Sequence, residues 1–252
     1  MNPYRQKQIF MAILTFVVYT MLVNWQAALL LMGAVGFHEY SHLWAAKKSG
    51  LKTKGFFLVP FMGGVALVAD RYRSYAQQAF VVLAGPVGGG LLAFVTAGVY
   101  YATGIPFLAA AAYWMCLLNL FNLYPLSFLD GGQLLDTITY SINRTLGVVL
   151  HTISTLVAAV IIVRLNFVIG ALIIFFGGMS IHSEWKNWKA WKDGKTFLLS
   201  ESWLNPPKKM RASQITLTIV GWLITVFLLG MLLVFLKDHP ESSITTIIPT
   251  KN

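Results

Sequence analysis

Residues 25–46 read Trp25-Gln-Ala-Ala-Leu-Leu-Leu-Met-Gly-Ala-Val-Gly-Phe-His38-Glu39-Tyr-Ser-His42-Leu-Trp-Ala-Ala46. As a helix this run rises about 33 Å, enough to cross the ~30 Å hydrocarbon core of a bilayer. It nevertheless carries two histidines and a glutamate. Ionisable groups at that depth are costly, and their presence marks a functional site by default. Positions i and i+4 lie on one helix face, so His38 and His42 can reach a single ion. A neutral imidazole is a good zinc ligand, and a catalytic zinc site takes three protein ligands and leaves a position for water. Glu39, beside the first histidine, can take a proton from an attacking water and pass it to a leaving amine. With five His in the chain, chance placement of His-Glu-x-x-His is expected in roughly one to two such chains per thousand. The bland alternative, two satisfied core histidines beside a glutamate, buries three polar groups without return.

The rest of the chain fits a membrane setting. Of 252 residues, 57% are hydrophobic and 11% charged, with a mean hydropathy of +0.67. A soluble domain carries about 25% charged residues. The fold class expected is therefore an all-α polytopic membrane protein with six to seven transmembrane helices. Seven apolar segments can be drawn, at 9–23, 25–46, 77–101, 106–128, 146–163, 167–181 and 215–236. The first, preceded by Arg5 and Lys7, imitates a secretory signal, but no small-x-small cleavage site follows it. Residues 50–69, broken by Pro60 and Gly63-Gly64, are β-rich and suit a short hairpin or re-entrant segment. The domains expected are a catalytic core over 1–183, a basic Trp-rich cytoplasmic loop over 184–211 lying along the interface, and a last helix and tail over 212–252. Cys116, the single cysteine, has no partner for an internal disulfide and reads as packing.

The net charge of +10 does not signal nucleic acid, because the basic residues sit in short stretches between apolar runs. With the N-terminus in the cytoplasm, 16 of the 19 Lys and Arg fall on the inside and 3 outside. The opposite orientation inverts this bias and loses.

Two histidines leave a ligand to find, and there are nine acidic residues. Asp70 is next to Arg71, while Glu184, Glu201, Asp238 and Glu241 lie outside the spans. Asp130 closes the fourth apolar segment, in Asn122-Leu-Tyr-Pro125-Leu-Ser127-Phe-Leu-Asp130-Gly131. The charge count puts this end and the His42 end of the second helix at the same cytoplasmic depth. Asp136 is a weaker rival, and helix capping is the bland reading of Asp130.

His38-Glu39-x-x-His42 followed by Asn122-x-x-Pro125-x-x-x-x-Asp130-Gly131 resembles the site-2 protease family of intramembrane metalloproteases. Pro60-Phe-Met-Gly63-Gly64 and Ala84-Gly85-Pro86-Val-Gly88-Gly89 are similar to further family elements. The family often has a second proline where this chain has Ser127. The resemblance covers about residues 30–140. It implies one catalytic Zn2+ on His38, His42 and Asp130, Glu39 as base, and Asn122 holding substrate or its oxyanion. It also implies single-span membrane substrates such as anti-sigma factors, tethered transcription factors or signal-peptide remnants, in a prokaryotic plasma membrane. A regulatory membrane partner is a further expectation.

Other residues take plain readings. Gly85, Gly88, Gly89 and Gly90 are expected to allow close helix packing, and His151 and His182 to be satisfied interhelical or interfacial histidines. Asn119 can bond across helices or assist Asn122. A prenyl-protein processing enzyme would need a second intramembrane glutamate, which is lacking. A transporter or other non-proteolytic zinc-binding membrane protein would more often show repeated halves.

Overall fold

The computed structural model describes residues 3–60, 63–126, 128–165 and 167–237, with backbone alone at 3, 162–165, 167–173, 201 and 202. Ser127, where the family has proline, and the tail bearing Asp238, Glu241 and Lys251 lie outside the described residues.

The chain is mostly helical. In order it forms α1 (Pro3–Leu22), α2 (Trp25–Lys48), β1 (Thr53–Val59), β2 (Gly63–Val68), α3 (Tyr75–Thr103), α4 (Pro106–Asn122), α5 (Asp130–Ile142), α6 (Arg144–Leu165), α7 (Phe167–Lys192), a 3-10 turn (Thr196–Leu198), α8 (Glu201–Leu204) and α9 (Ala212–Lys237). Among the described residues, three helices are long and apolar enough to cross a membrane: α3, α6 from Arg144 to Ile161, and α9. The shorter apolar helix α4 joins them. The expected count of six to seven spans is thus not confirmed on the length and composition of the described residues. Polar side chains explain part of the shortfall, since α1 opens with Arg5, Gln6, Lys7 and Gln8 and α2 carries the His-Glu-His motif.

One compact unit holds α1, α2, the hairpin, α3 from Leu83, α4 to Phe121 and α9 from Leu223. A two-residue turn joins α1 to α2, where the Asn24 side chain accepts from the Ala27 amide at 2.7 Å and caps the second helix. Small residues dominate the packing. Ala27, Ala28, Ala34, Ala45 and Ala46 on α2 and Ala109 to Ala112 on α4 are buried, which lets backbones approach where lipid offers no hydrophobic drive between helices. β1 and β2 form a two-stranded antiparallel sheet with Phe56 opposite Ala66, Phe57 opposite Val65 and Leu58 opposite Gly64, and a register shift at Thr53/Gly55. The hairpin read from 50–69 is present.

The other unit holds residues 72–82 and 122–222. The fourth apolar segment, expected to run to Phe128, stops as a helix at Asn122, and Asp130 opens α5 instead. Pro125 lies three residues past the end of α4, where a continuing helix would lose the backbone hydrogen bond that proline cannot donate. α5 buries Leu134, Thr137, Ile138 and Ser141, at helical spacing. The segment 184–211 also departs from the expected loop, because α7 runs unbroken to Lys192. Its tryptophans are fixed to α6, with Trp185 Nε1 donating to Thr152 Oγ1 at 2.9 Å and Trp188 Nε1 to Thr145 Oγ1 at 3.0 Å. Beyond the helix the chain folds back. Trp203 is buried, donates to Glu184 at 3.1 Å and lies under the Arg144 guanidinium. Tyr140 donates to the same carboxylate, and burial, then the charges of Asp136 and Glu184, push its pKa up and keep that proton in place.

Candidate metal centre

The motif of α2 is buried, with His38, Glu39 and His42 each under a tenth exposed. One helical turn brings the two imidazoles together, Nε2 to Nε2 at 3.1 Å. His38 Nδ1 lies 2.9 Å from Asn119 Oδ1 on α4, and the Asn119 amide nitrogen donates to the Met115 carbonyl at 2.7 Å. The second bond fixes which end of the amide faces the histidine. An amide oxygen only accepts, so His38 Nδ1 carries the proton and Nε2 keeps its lone pair. A metal-ligating histidine is held in the same way by the partner of its other nitrogen.

The spacing can be tested against an ion. Zinc–nitrogen bonds of about 2.0–2.1 Å at tetrahedral angles put two ligand nitrogens about 3.3 Å apart. The observed separation is within a few tenths of an ångström of this, and His38 Nε2 keeps the lone pair a ligand needs. The imidazole pair therefore fits a shared metal ion.

Glycine makes room for the constellation. A β-carbon at Gly64 of β2 would stand 2.6 Å from Glu39 Cδ and Oε1. On α3, one at Gly85 would stand 2.8 Å from His42 Cδ2, one at Gly88 2.7 Å from Ser41 Cβ, and one at Gly89 2.6 Å from Asn119 Nδ2. Real β-carbons do not approach so closely. Of the four glycines expected to allow close helix packing, Gly85 thus receives His42, Gly88 receives Ser41 and Gly89 receives Asn119, while Gly90 faces Leu229 of α9 at 3.0 Å. Asn119, whose role the sequence left open, is 1% exposed and holds His38. The available signal was an amide in the interior of an apolar helix, which must find a partner.

Asp130 is buried in the first turn of α5 within its own unit. The N-cap is Leu129, which makes no side-chain cap bond, so Asp130 is not the capping residue. The turn before it is tight, with Leu129 N donating to Leu126 O at 2.8 Å, and a β-carbon at Gly131 would stand 2.5 Å from Tyr124 O. Glycine is required after this aspartate. Burial, and secondarily the charge of Asp130, raise the pKa of Tyr72. Asn122 ends α4 half-buried. The rival Asp136 is engaged elsewhere: its carboxylate meets His151 Nδ1 at 3.0 Å, and His151 Nε2 meets Ser180 Oγ at 2.9 Å. Burial pushes the Asp136 carboxyl up, against the lowering effect of that histidine. His182 is exposed.

Among the described residues, His38 and His42 in the one unit and Asp130 in the other are all buried, and each is of a type that can offer a metal one ligand atom. No curated protein matches the chain. Residues 26–106, which run from α2 through the hairpin and α3, match the family model of Peptidase family M50, and this match supports a site-2 protease-like family.

Proposed function

We propose that this chain is an intramembrane zinc endopeptidase that cuts transmembrane segments of membrane-anchored proteins near the cytoplasmic face. The M50 match supports a membrane metalloprotease. The observation that carries the reading is the His38 pair of bonds, Nδ1 to Asn119 and Nε2 toward His42, with Glu39 on the same turn. It orients one imidazole as a ligand before any ion arrives.

In this reading His38, His42 and Asp130 hold the ion. When bound, zinc supplies Lewis acidity to polarise the scissile carbonyl and to make water a nucleophile near neutral pH. Glu39 accepts the proton of the attacking water and returns it to the leaving amine. Its burial excludes bulk water, so the proton stays between the reacting partners. Asn122 donates its amide to the developing oxyanion. A helical substrate hides its peptide bonds, so it must unwind, and an edge of the β1–β2 hairpin receives the unwound segment. The N-terminus is cytoplasmic, by the 16-to-3 distribution of basic residues. Single-span proteins such as anti-sigma factors, tethered transcription factors or signal-peptide remnants in a prokaryotic plasma membrane are the substrate class, with selection helped by a membrane partner.

The test is reconstitution of the purified chain in liposomes with a single-span model substrate. Cleavage by the wild type, lost in Glu39→Gln and on adding chelator, is expected. Cleavage that survives both changes refutes the proposal.

A further inference from the structure

The chain leading into α9, and α9 itself, are tied at two levels to the unit that carries Asn122 and Asp130. At the foot of the helix, Lys208 exchanges backbone bonds with the approach to α3, accepting from the Tyr75 amide at 2.9 Å and donating to the Arg73 carbonyl at 3.0 Å. The buried Met210 amide donates to Ser141 Oγ at 3.1 Å, near the end of α5. About three turns further up, Trp222 Nε1 donates to the Leu123 carbonyl at 3.1 Å. This tie reaches the other end of α5, because Leu123 O is among the atoms that a β-carbon at Gly131 would strike. The lengths agree: Ala212 to Trp222 on α9 and Gly131 to Ser141 on α5 each rise about 15 Å. The last helix thus starts where α5 ends and returns to where α5 begins.

The carbonyl held by Trp222 is one that needs a partner. Leu123 is 2% exposed and follows the last residue of α4, where the carbonyls of a helix run out of intrahelical donors. A buried carbonyl must be paired, and among the described residues the indole supplies the donor. An indole N–H can only donate, so the direction of the bond is fixed. Leu123 stands directly after Asn122, and Gly131, against which its carbonyl packs, stands directly after Asp130. One backbone oxygen therefore adjoins both residues. Trp222 also lies well inside α9, whereas tryptophans that anchor a span gather at its ends.

We infer that Trp222 is a positioning residue: its indole N–H holds the Leu123 carbonyl and so sets the segment from Asn122 to Asp130, with α9 as the splint. The inference rests on the proteolytic reading above, which gives those two residues their roles. It adds a helix outside residues 26–106, the part that matches the family.

Two substitutions separate the bond from the bulk. Trp222→Phe keeps an aromatic ring and removes the donor. Trp222→Gln removes the ring and keeps a donor, since its Nε2 is as many bonds from Cβ as the indole Nε1. In liposomes with a single-span model substrate, the full chain carrying Trp222→Phe is expected to lose about tenfold in kcat with KM within about twofold of wild type. Trp222→Gln is expected to keep kcat within about threefold. A packing role predicts the reverse order. Zinc affinity, read by chelator competition on the purified protein, does not depend on turnover. It is expected to fall about fivefold to tenfold in Trp222→Phe and to stay within about twofold in Trp222→Gln. Trp222→Phe matching wild type in both measurements, or Trp222→Gln performing no better than Trp222→Phe, overturns the inference. A wild type that binds zinc and cleaves nothing overturns the proteolytic reading instead, and the zinc affinities of the two variants still decide whether the tie sets Asp130.

Discussion

Replacing Asn119 by leucine tests the orientation of His38 directly. Leucine keeps the branched heavy-atom shape of asparagine, with bulkier methyl groups, but offers no acceptor. The bond lost is 2.9 Å long between groups 1% and 3% exposed, so water does not replace it. A buried donor left without its partner costs about 1–3 kcal/mol. His38 can escape this cost by moving its proton to Nε2, which removes the lone pair that a metal needs. Either way the penalty falls on metal binding, and outer partners of ligating histidines typically account for about tenfold to a hundredfold in affinity. Asn119→Leu should therefore weaken zinc binding by about that factor, read by competition against a chromophoric chelator on the purified protein. Asn119→Asp keeps an acceptor toward His38 but loses the donor to the Met115 carbonyl, so its zinc affinity should fall less than that of Asn119→Leu. Leucine binding zinc as tightly as asparagine would refute the assignment of His38 as a ligand oriented from α4.

Other outcomes follow from the same contacts. Gly85→Ala sets a methyl against the His42 ring and should abolish both cleavage and stoichiometric zinc. Gly98→Ala on the same helix, with nothing within 4 Å, should leave both intact and raise stability by about 0.5–1 kcal/mol, measured by thermal unfolding in detergent. Asp130→Ala should lower the zinc content after dialysis, since two imidazoles alone make an incomplete site; retained stoichiometric zinc would point to another donor. Tyr140→Phe removes the donor to Glu184 and should cost about 1–3 kcal/mol in unfolding measurements, with cleavage per folded molecule unchanged.

The parts of this molecule that a sequence reveals are those governed by spacing. The i, i+4 histidines declared a shared helix face, and Pro60 with Gly63-Gly64 declared a break in an apolar run, because both effects act within a few residues. The end of α4 was harder, since Leu123 to Phe128 are as apolar as a span and only Pro125 opposes the helix. The extension of α7 was hidden for the reverse reason. Trp185, Lys186, Trp188 and Lys189 look interfacial, but tryptophan bonds to Thr145 and Thr152 on α6 hold them in a continuing helix. The role of Asn119 depended on a partner 81 positions away, which no local pattern encodes.

The short reach of α4 has a consequence for the surrounding lipid. Seventeen residues rise about 25 Å, several ångströms less than the ~30 Å of an average hydrocarbon core. Were α4 to span, as the proposed intramembrane reading has it, a bilayer would meet so short a helix by thinning around it. The helix that orients His38 would then carry a dimple in the membrane with it, shortening the path of water to a buried peptide bond and favouring residence in thinner bilayers.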